Sequence, residues 1–247
     1  MSGPYVEFAG ETDTGRGPSF ALWNSAGSVL ADLALGNFNR GFVAWCDDFV
    51  DLPTGKYTAT QATAGTFALD DAEGGVALAD CNSSTVTQGI NVQLGGTAGE
   101  TVKAVANQVI WFEARVKVAD MATGPEFFLG LAVTDTTIIA TSALSAQSIG
   151  FVSVTDNGIL LASCKDGSSV TTGTGTTLVD GTYVKLGFKV TGTSKVEFFV
   201  NGAIVSTVTA NIPTTEMRPS LVCQSDGSTD SILHIDWGKC VVQQSGT

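Results

Sequence analysis

The pattern of apolar and polar positions changes character once along this chain. From about Phe49 onward, short apolar runs alternate with polar residues and are separated by Gly, Asp, Asn and Thr, the punctuation of strands and tight turns. The clearest run is VIWFEARVKVAD. There Ile110, Phe112, Ala114, Val116 and Val118 recur at every second position and share one face, with Glu113, Arg115 and Lys117 on the other. In QGINVQLGG the same period puts Ile90, Val92 and Leu94 on one face. FFLGLAVTD, interrupted by Gly130, is apolar at nearly every position and predicts a strand buried on both faces. GTFALDD, GGVALAD, SIGFVSVTD, GILLASCKDG, PSLVCQSDG and SILHIDWGKCVV continue the series.

Residues 184–208 predict a meander. Val184, Leu186, Phe188 and Val190 face one way, and Lys185 and Lys189 the other. Asn201-Gly202 fits a two-residue hairpin turn, whose central positions both need positive φ. That turn pairs Val200 with Ala203, Phe198 with Val205 and Val196 with Thr207. It leaves Lys195, Glu197, Phe199, Ile204 and Ser206 as a mixed second face, fit for a subunit contact or for cover by another segment. Strands at a spacing of about 10 residues, with turn signals between them, predict an antiparallel β-sandwich. SSVTTGTGTTLVDG, polar and of low complexity, is expected to be a surface loop or hairpin end.

Residues 1–48 read differently. Six acidic residues stand against two basic ones, and the apolar bursts are short. The aromatic residues Tyr5, Phe8, Phe20, Trp23, Phe38, Phe42 and Trp45 follow neither a helical nor a two-residue period. A segment this apolar is expected to pack as an extended arm, on its own body or on a neighbour. The expected division is an arm over residues 1–48 and a sandwich over 49–247.

The order of the motifs is specific in combination. WFEARVKV leads to FFLGLAV, IGFV, YVKLGFKV…VEFFVNGAIV, IP…MRPSL and a closing HIDW. This succession resembles the concanavalin A-like (laminin-G-like) jelly rolls over roughly residues 49–242. It is most similar to bacteriophage virion proteins that carry the jelly roll after a short N-terminal arm. The resemblance implies an all-β jelly-roll sandwich, a fold shared by enzymes, lectins and structural proteins, so function must be argued from a site.

Composition narrows the choices. The 247 residues suit one large domain or one domain with an appendage, and with 43% hydrophobic and 15% charged residues the chain can bury a real core. Its net charge of −12, with only 12 Lys and Arg and no basic cluster, speaks against nucleic acid and anionic membranes as partners. No cationic start followed by an apolar core suggests a secretory signal, and no apolar run approaches the ~18 residues of a spanning helix. Cys46, Cys81, Cys164, Cys223 and Cys240 are widely spaced and form no CxxC motif, so buried free thiols are expected and no zinc site.

The candidate chemistry is sparse. Retaining glucanases of the resembled fold carry Glu-x-Asp-x-Glu on one strand, because that route needs two carboxyls about 5 Å apart. Here Glu113 stands alone on its strand, and Asp70-Asp71-Ala72-Glu73 reads as a turn. Asp47-Asp48 is expected to end a strand. His234, the single histidine, shares a face with Asp236, with Leu233, Ile235 and Trp237 opposite. Loop carboxylates at Asp156-Asn157, Asp226 and Asp230 are the candidates for calcium. No metal, cofactor or catalytic set is expected, and no enzyme.

The expected role is therefore a virion structural protein, most simply a capsid decoration or cement component. It would bind a major capsid protein through its arm and sandwich surface, assembled in the host cytoplasm and oligomeric, with a trimer favoured by analogy. The alternative is a carbohydrate-binding module, on a virion tail or elsewhere, that stacks glycans on Trp23, Trp45 or Tyr57.

Overall fold

A computed structural model describes residues 16–23, 26, 42–61, 64–70, 74–95, 102–119, 126–154, 158–227 and 230–243. Two large antiparallel sheets face each other. The first contains β1 (Phe42–Asp47), β3 (Thr66–Asp70), β4 (Val76–Asp80), β7 (Val109–Ala119), β14 (Val184–Thr191), β15 (Lys195–Val200), β16 (Ala203–Val208) and β18 (Ile232–Gln243). Its strands run β16-β15-β14-β7-β18-β4-β3, and β1 pairs with the second half of β18. The second contains β2 (Tyr57–Gln61), β5 (Gly89–Leu94), β6 (Val102–Lys103), β8 (Glu126–Ala132), β11 (Ser148–Ser153), β12 (Ile159–Asp166), β13 (Ser169–Thr177) and β17 (Glu216–Gln224). Its order is β13-β12-β11-β8-β17-β5-β2, with β6 on the start of β17.

The alternation in β7 sets the core. Ile110, Phe112, Ala114, Val116 and Val118 all enter the cluster between the sheets, as do Val184, Leu186, Phe188 and Val190 of β14. Phe112 and Phe188 stack at 4.9 Å, and Phe151 of the second sheet meets Phe198 of the first edge-on at 5.4 Å. Such offset and T-shaped aromatic pairs add about 0.5–1.5 kcal/mol each beyond their area. β8 is buried on both faces, as its unbroken apolar run predicts. Phe127, Leu129 and Leu131 point into the sandwich, while Phe128 and Ala132 lie under Ile138, Ile139, Leu144 and Ala146. Those four come from the segment carrying the small hairpin β9 (Ile139–Ala140) and β10 (Ala143–Leu144).

Four features depart from the expectations. SSVTTGTGTTLVDG is largely strand: β13 pairs along β12 as the sheet's edge, and its threonines favour extended backbone while its half-exposed position removes the apolar alternation. Asn201 and Gly202 do turn with φ of 47° and 79°, but a bulge between Phe198 and Phe199 shifts the register beyond it. Phe198 therefore pairs with Ser206 and Val196 with Val208, which brings Val208 into the core. A second bulge, between Ile235 and Trp237, turns Trp237 to the outer face beside Arg115, where a regular strand would point it inward. β1, which the sequence leaves in the arm, is hydrogen-bonded along its length to β18.

The outer face of the first sheet carries residues 16–23 and 26. Leu22 and Trp23 of the short helix α1 (Phe20–Trp23), with Ala26, form one apolar cluster with Trp111, Phe199 and Val241. Gly187 makes the room: a Cβ there would lie 2.6 Å from Leu22 and 2.8 Å from the Phe112 carbonyl. Polar groups fix the same segment. Glu113 accepts from the Ser19 N–H at 3.0 Å and the Trp23 Nε1–H at 2.7 Å. Asp236 joins Arg16 to Arg115 at 2.7 and 2.6 Å, and Trp237 Nε1 donates to the Arg16 carbonyl at 2.7 Å. Trp23 is thus held by the chain's own sandwich. Phe20 and Phe42 lie in α1 and β1, and Tyr5, Phe8 and Phe38 lie outside the described residues.

Candidate functional site

The outer face of the second sheet is left open beside the β9–β10 hairpin. On β5, β17 and β2 the residues alternating with the core positions point outward: Asn91 and Gln93, then Arg218, Ser220, Val222 and Gln224, then Thr58 and Thr60. The hairpin segment rises over them as a wall. Between wall and strands runs a groove of about 250 Å³ floored by Asn91, Val222 and Gln224 and walled by Thr60, Thr87 and residues 136–141. At Thr60 and Thr136 it continues into a second hollow of about 420 Å³ that reaches Gln93, Asp135 and Arg218.

Hydrogen bonds orient every amide of the floor. Asn91 Nδ2 donates to the Asp135 carbonyl at 2.6 Å, and Gln224 Nε2 donates to Glu126. Gln93 is fully engaged: Nε2 donates to the Val133 carbonyl at 2.9 Å and to Ser220 Oγ at 2.8 Å, and Oε1 accepts from the Asp135 N–H at 3.0 Å. Asn91 is only 6% exposed, and its Oδ1 has no partner among the described residues. A buried acceptor left unpaired costs about 1–3 kcal/mol. The rim adds a second irregularity. Thr87 and Thr141, both β-branched, hold φ of 64° and 39°, a region such side chains avoid. Arg218 is buried and holds the Leu94 and Gly95 carbonyls.

The residues singled out from the sequence lie elsewhere. Trp23 is 1% exposed and cannot offer a stacking face where it sits. Trp45 stacks on Phe112, and Tyr57 packs against Phe49 and Phe67 while its hydroxyl donates to Asp47. Asp47 also takes the Phe49 N–H at 2.9 Å and Lys56 at 2.8 Å, so it ends β1 as a strand-terminating cap. His234 faces Asp70 at 3.9 Å, not Asp236, which is occupied by the two arginines. Burial, with Lys117 nearby, lowers the His234 pKa, so the neutral imidazole prevails at neutral pH. Asp156 and Asn157 lie outside the described residues, as do Asp71 and Glu73.

Asp230 meets Asp80 and Cys81, with ligand atoms within 4.8 Å of one another. Burial pushes the Cys81 thiol up to about 11, and its Sγ donates to Asp230 at 3.2 Å. As a protonated donor, the thiol is a hydrogen-bond partner of Asp230. Among the described residues the five cysteines are free, with Cys46 exposed and the others buried.

The groove residues were missed from the sequence because Asn91 and Gln93 read as the solvent side of an alternating strand. The one signal in reach was FFLGLAVTD: a strand apolar on both faces needs a cover, and the segment that follows it supplies both the cover and the groove wall.

No protein-family model matches this chain, and no curated protein matches it in sequence. Solved structures match its fold. Peanut lectin aligns with a TM-score of 0.58 at 14% identity, covering 84% of this chain and all (100%) of the lectin. A β-1,3-1,4-glucanase (lichenase) derived from a mouse hindgut metagenome aligns at 0.55 and 11%, covering 80% of this chain and 98% of the enzyme. A carbohydrate esterase from the Shiga toxin-encoding bacteriophage phi24B aligns at 0.51 and 14%, covering 76% and 90%. At these identities the likeness establishes the concanavalin A-like sandwich and nothing finer. It does correct one expectation. The missing carboxylate triplet argued against an enzyme, yet glucanases share this architecture over nearly their whole length, so enzymatic activity is open to this chain.

Proposed function

We propose that this chain is a carbohydrate-recognising jelly roll whose ligand lies in the groove between the β9–β10 hairpin and strands β2, β5 and β17. The observation that carries this reading is the groove's polar lining, where the amide residues Asn91 and Gln224 lie among Thr60, Thr87, Thr136, Thr137 and Thr141. The threonines offer hydroxyls that both donate and accept, the complement of a sugar's own. A lectin and a glucanase of the same fold show that such sandwiches handle saccharides, although neither likeness transfers a site. The test is a glycan array probed with the full chain, followed by calorimetry on the best ligands and chromatography of each mixture for cleavage products. Saturable binding supports the reading, and products would add a hydrolytic step to it. No binding to any glycan at millimolar concentration overturns it.

A second reading, a virion shell component, is favoured by the N-terminal segment, which is held on the outer face of the first sheet by a small apolar cluster and by hydrogen bonds and ion pairs to Glu113, Asp236 and Trp237. It implies a major capsid protein as partner, a homo-oligomer and a place on the particle. Sedimentation with large particles at a fixed ratio to a shell protein supports it, and a wholly soluble distribution overturns it. A glycan-binding sandwich on a particle satisfies both readings.

A further inference from the structure

Two threonines in the groove's lining are held in a backbone conformation that their side chains oppose. Among the described non-glycine residues, positive φ occurs at Phe49, Ser142, four asparagines and the pair Thr87 and Thr141. Asparagine enters this region readily, whereas a β-branched residue there is strained. Thr87 and Thr141 are the β-branched exceptions, and both line the same groove. The chain itself shows the relaxed alternative. The two-residue hairpin turn between β15 and β16 uses Asn201 and Gly202, at φ of 47° and 79°. The hairpin that walls the groove has Thr141 and Ser142 at the same two positions, at 39° and 59°. Thr87 is pinned by its backbone: its N–H donates to the Ser225 carbonyl at 3.0 Å, and the Gln88 carbonyl accepts from the Ser225 N–H at 2.8 Å. These bonds would serve glycine or asparagine equally. No side-chain hydrogen bond joins either hydroxyl to another described residue, so neither threonine is needed for the turn it strains.

Backbone strain of this kind persists at ligand clamps, where it is part of the mechanism. Resting on the saccharide reading above, we infer that Thr87 and Thr141 are the residues that grip the ligand, each hydroxyl exchanging a hydrogen bond with a sugar hydroxyl. A threonine hydroxyl both donates and accepts, and its branched Cβ leaves χ1 few choices, so the group is set before the ligand arrives. One threonine comes from the loop ahead of β5 and the other from the β9–β10 turn. A ligand that touches both ties the hairpin to the sheet beneath it. The chain thus keeps threonine at both positions against its own stability.

The experiment pairs melting curves of the full chain with its calorimetric titration by neutral gluco-, xylo- and manno-oligosaccharides. Three substitutions at each position separate strain from contact. Thr87→Gly and Thr141→Gly remove both, so each is expected to melt about 2–4 °C higher than wild type and to bind at least tenfold more weakly. Thr87→Val and Thr141→Val keep the branched carbon and lose the hydroxyl. Their melting is expected to stay within about 1 °C of wild type while binding again falls at least tenfold. Thr87→Ser and Thr141→Ser restore the hydroxyl without the branch and are expected to recover most of the binding that valine loses. A purely structural role predicts that the valine variants bind as wild type does. Wild-type affinity in a folded valine variant at either position overturns this inference and spares the saccharide reading, as do glycine variants that melt no higher than wild type. Absence of wild-type binding to every sugar overturns both.

Discussion

Glu113 is the residue on which the covering segment turns. Burial raises its pKa above the ordinary 4.5, opposed by the hydrogen bonds from Ser19 and Trp23 and by the charge of Lys185. A carboxyl whose folded-state pKa is raised holds its proton more tightly folded than unfolded. Its ionised form therefore costs stability above the raised pKa. That cost fades as pH falls through the raised value toward the ordinary one. Glu113 thus pushes stability upward on acidification, against the usual trend of paired carboxylates. Glu113→Gln keeps an acceptor for both donors and removes the titration. Melting curves of the two proteins from pH 7 to 4.5 are expected to show wild type gaining on the variant as pH falls, and a constant gap would remove Glu113 from this role. Glu113→Ala leaves the Ser19 N–H and Trp23 Nε1–H in a dry site, and is expected to cost about 1–3 kcal/mol at pH 7.

At the scale of elements, the covering segment and the strand beneath it fit by subtraction: Gly187 of β14 leaves the hole that Leu22 fills. Gly187→Ala puts a methyl 2.6 Å from Leu22, 2.8 Å from the Phe112 carbonyl and 3.1 Å from Glu113 Cγ; the Leu22 side chain can yield, whereas relief of the backbone contact must come from the sheet itself. The expected result is faster tryptic cleavage after Arg16 together with a lowered melting temperature of the sandwich, and unchanged cleavage would mean the segment is held mainly by its charged groups. Much of this architecture was legible in advance. The alternation of β7 and β14 placed their core faces correctly, because a half-buried strand writes its burial into every second residue, and the Asn201-Gly202 turn lies where expected although the register beyond it does not. The bulges at Phe198 and at Asp236 were not legible. Each depends on what packs on the outer face, and so the arginine-bound Asp236 and the outward Trp237 were read on the wrong partners. The groove was hidden for the same reason. Asn91 and Gln224 become a site only when a hairpin from between them in sequence folds over both.

The whole molecule is a sandwich with two differently finished outer faces. One carries the N-terminal segment on a charged and apolar seat, and the other carries a hairpin that leaves a polar groove. Between them lie two sheets about 10 Å apart, whose interior is packed with aromatic and branched side chains. A close-packed core can pass strain, but it does so only where an element has two arrangements, and the strands separating the faces are fixed by their ladders on both sides. Thr141 sits in the turn of the hairpin on the second sheet and Gly187 on β14 of the first, without a shared partner. Perturbations at such separated sites add to within about 0.3–0.5 kcal/mol. Gly187→Ala should therefore leave saccharide affinity within about twofold of wild type, and the double variant with Thr141→Val should lose what Thr141→Val loses alone. A glycan titration of the four proteins in this cycle decides the matter. An interaction above 1 kcal/mol, well beyond that margin, would mean that seating the N-terminal segment is sensed at the groove and that the chain's two faces work as one device.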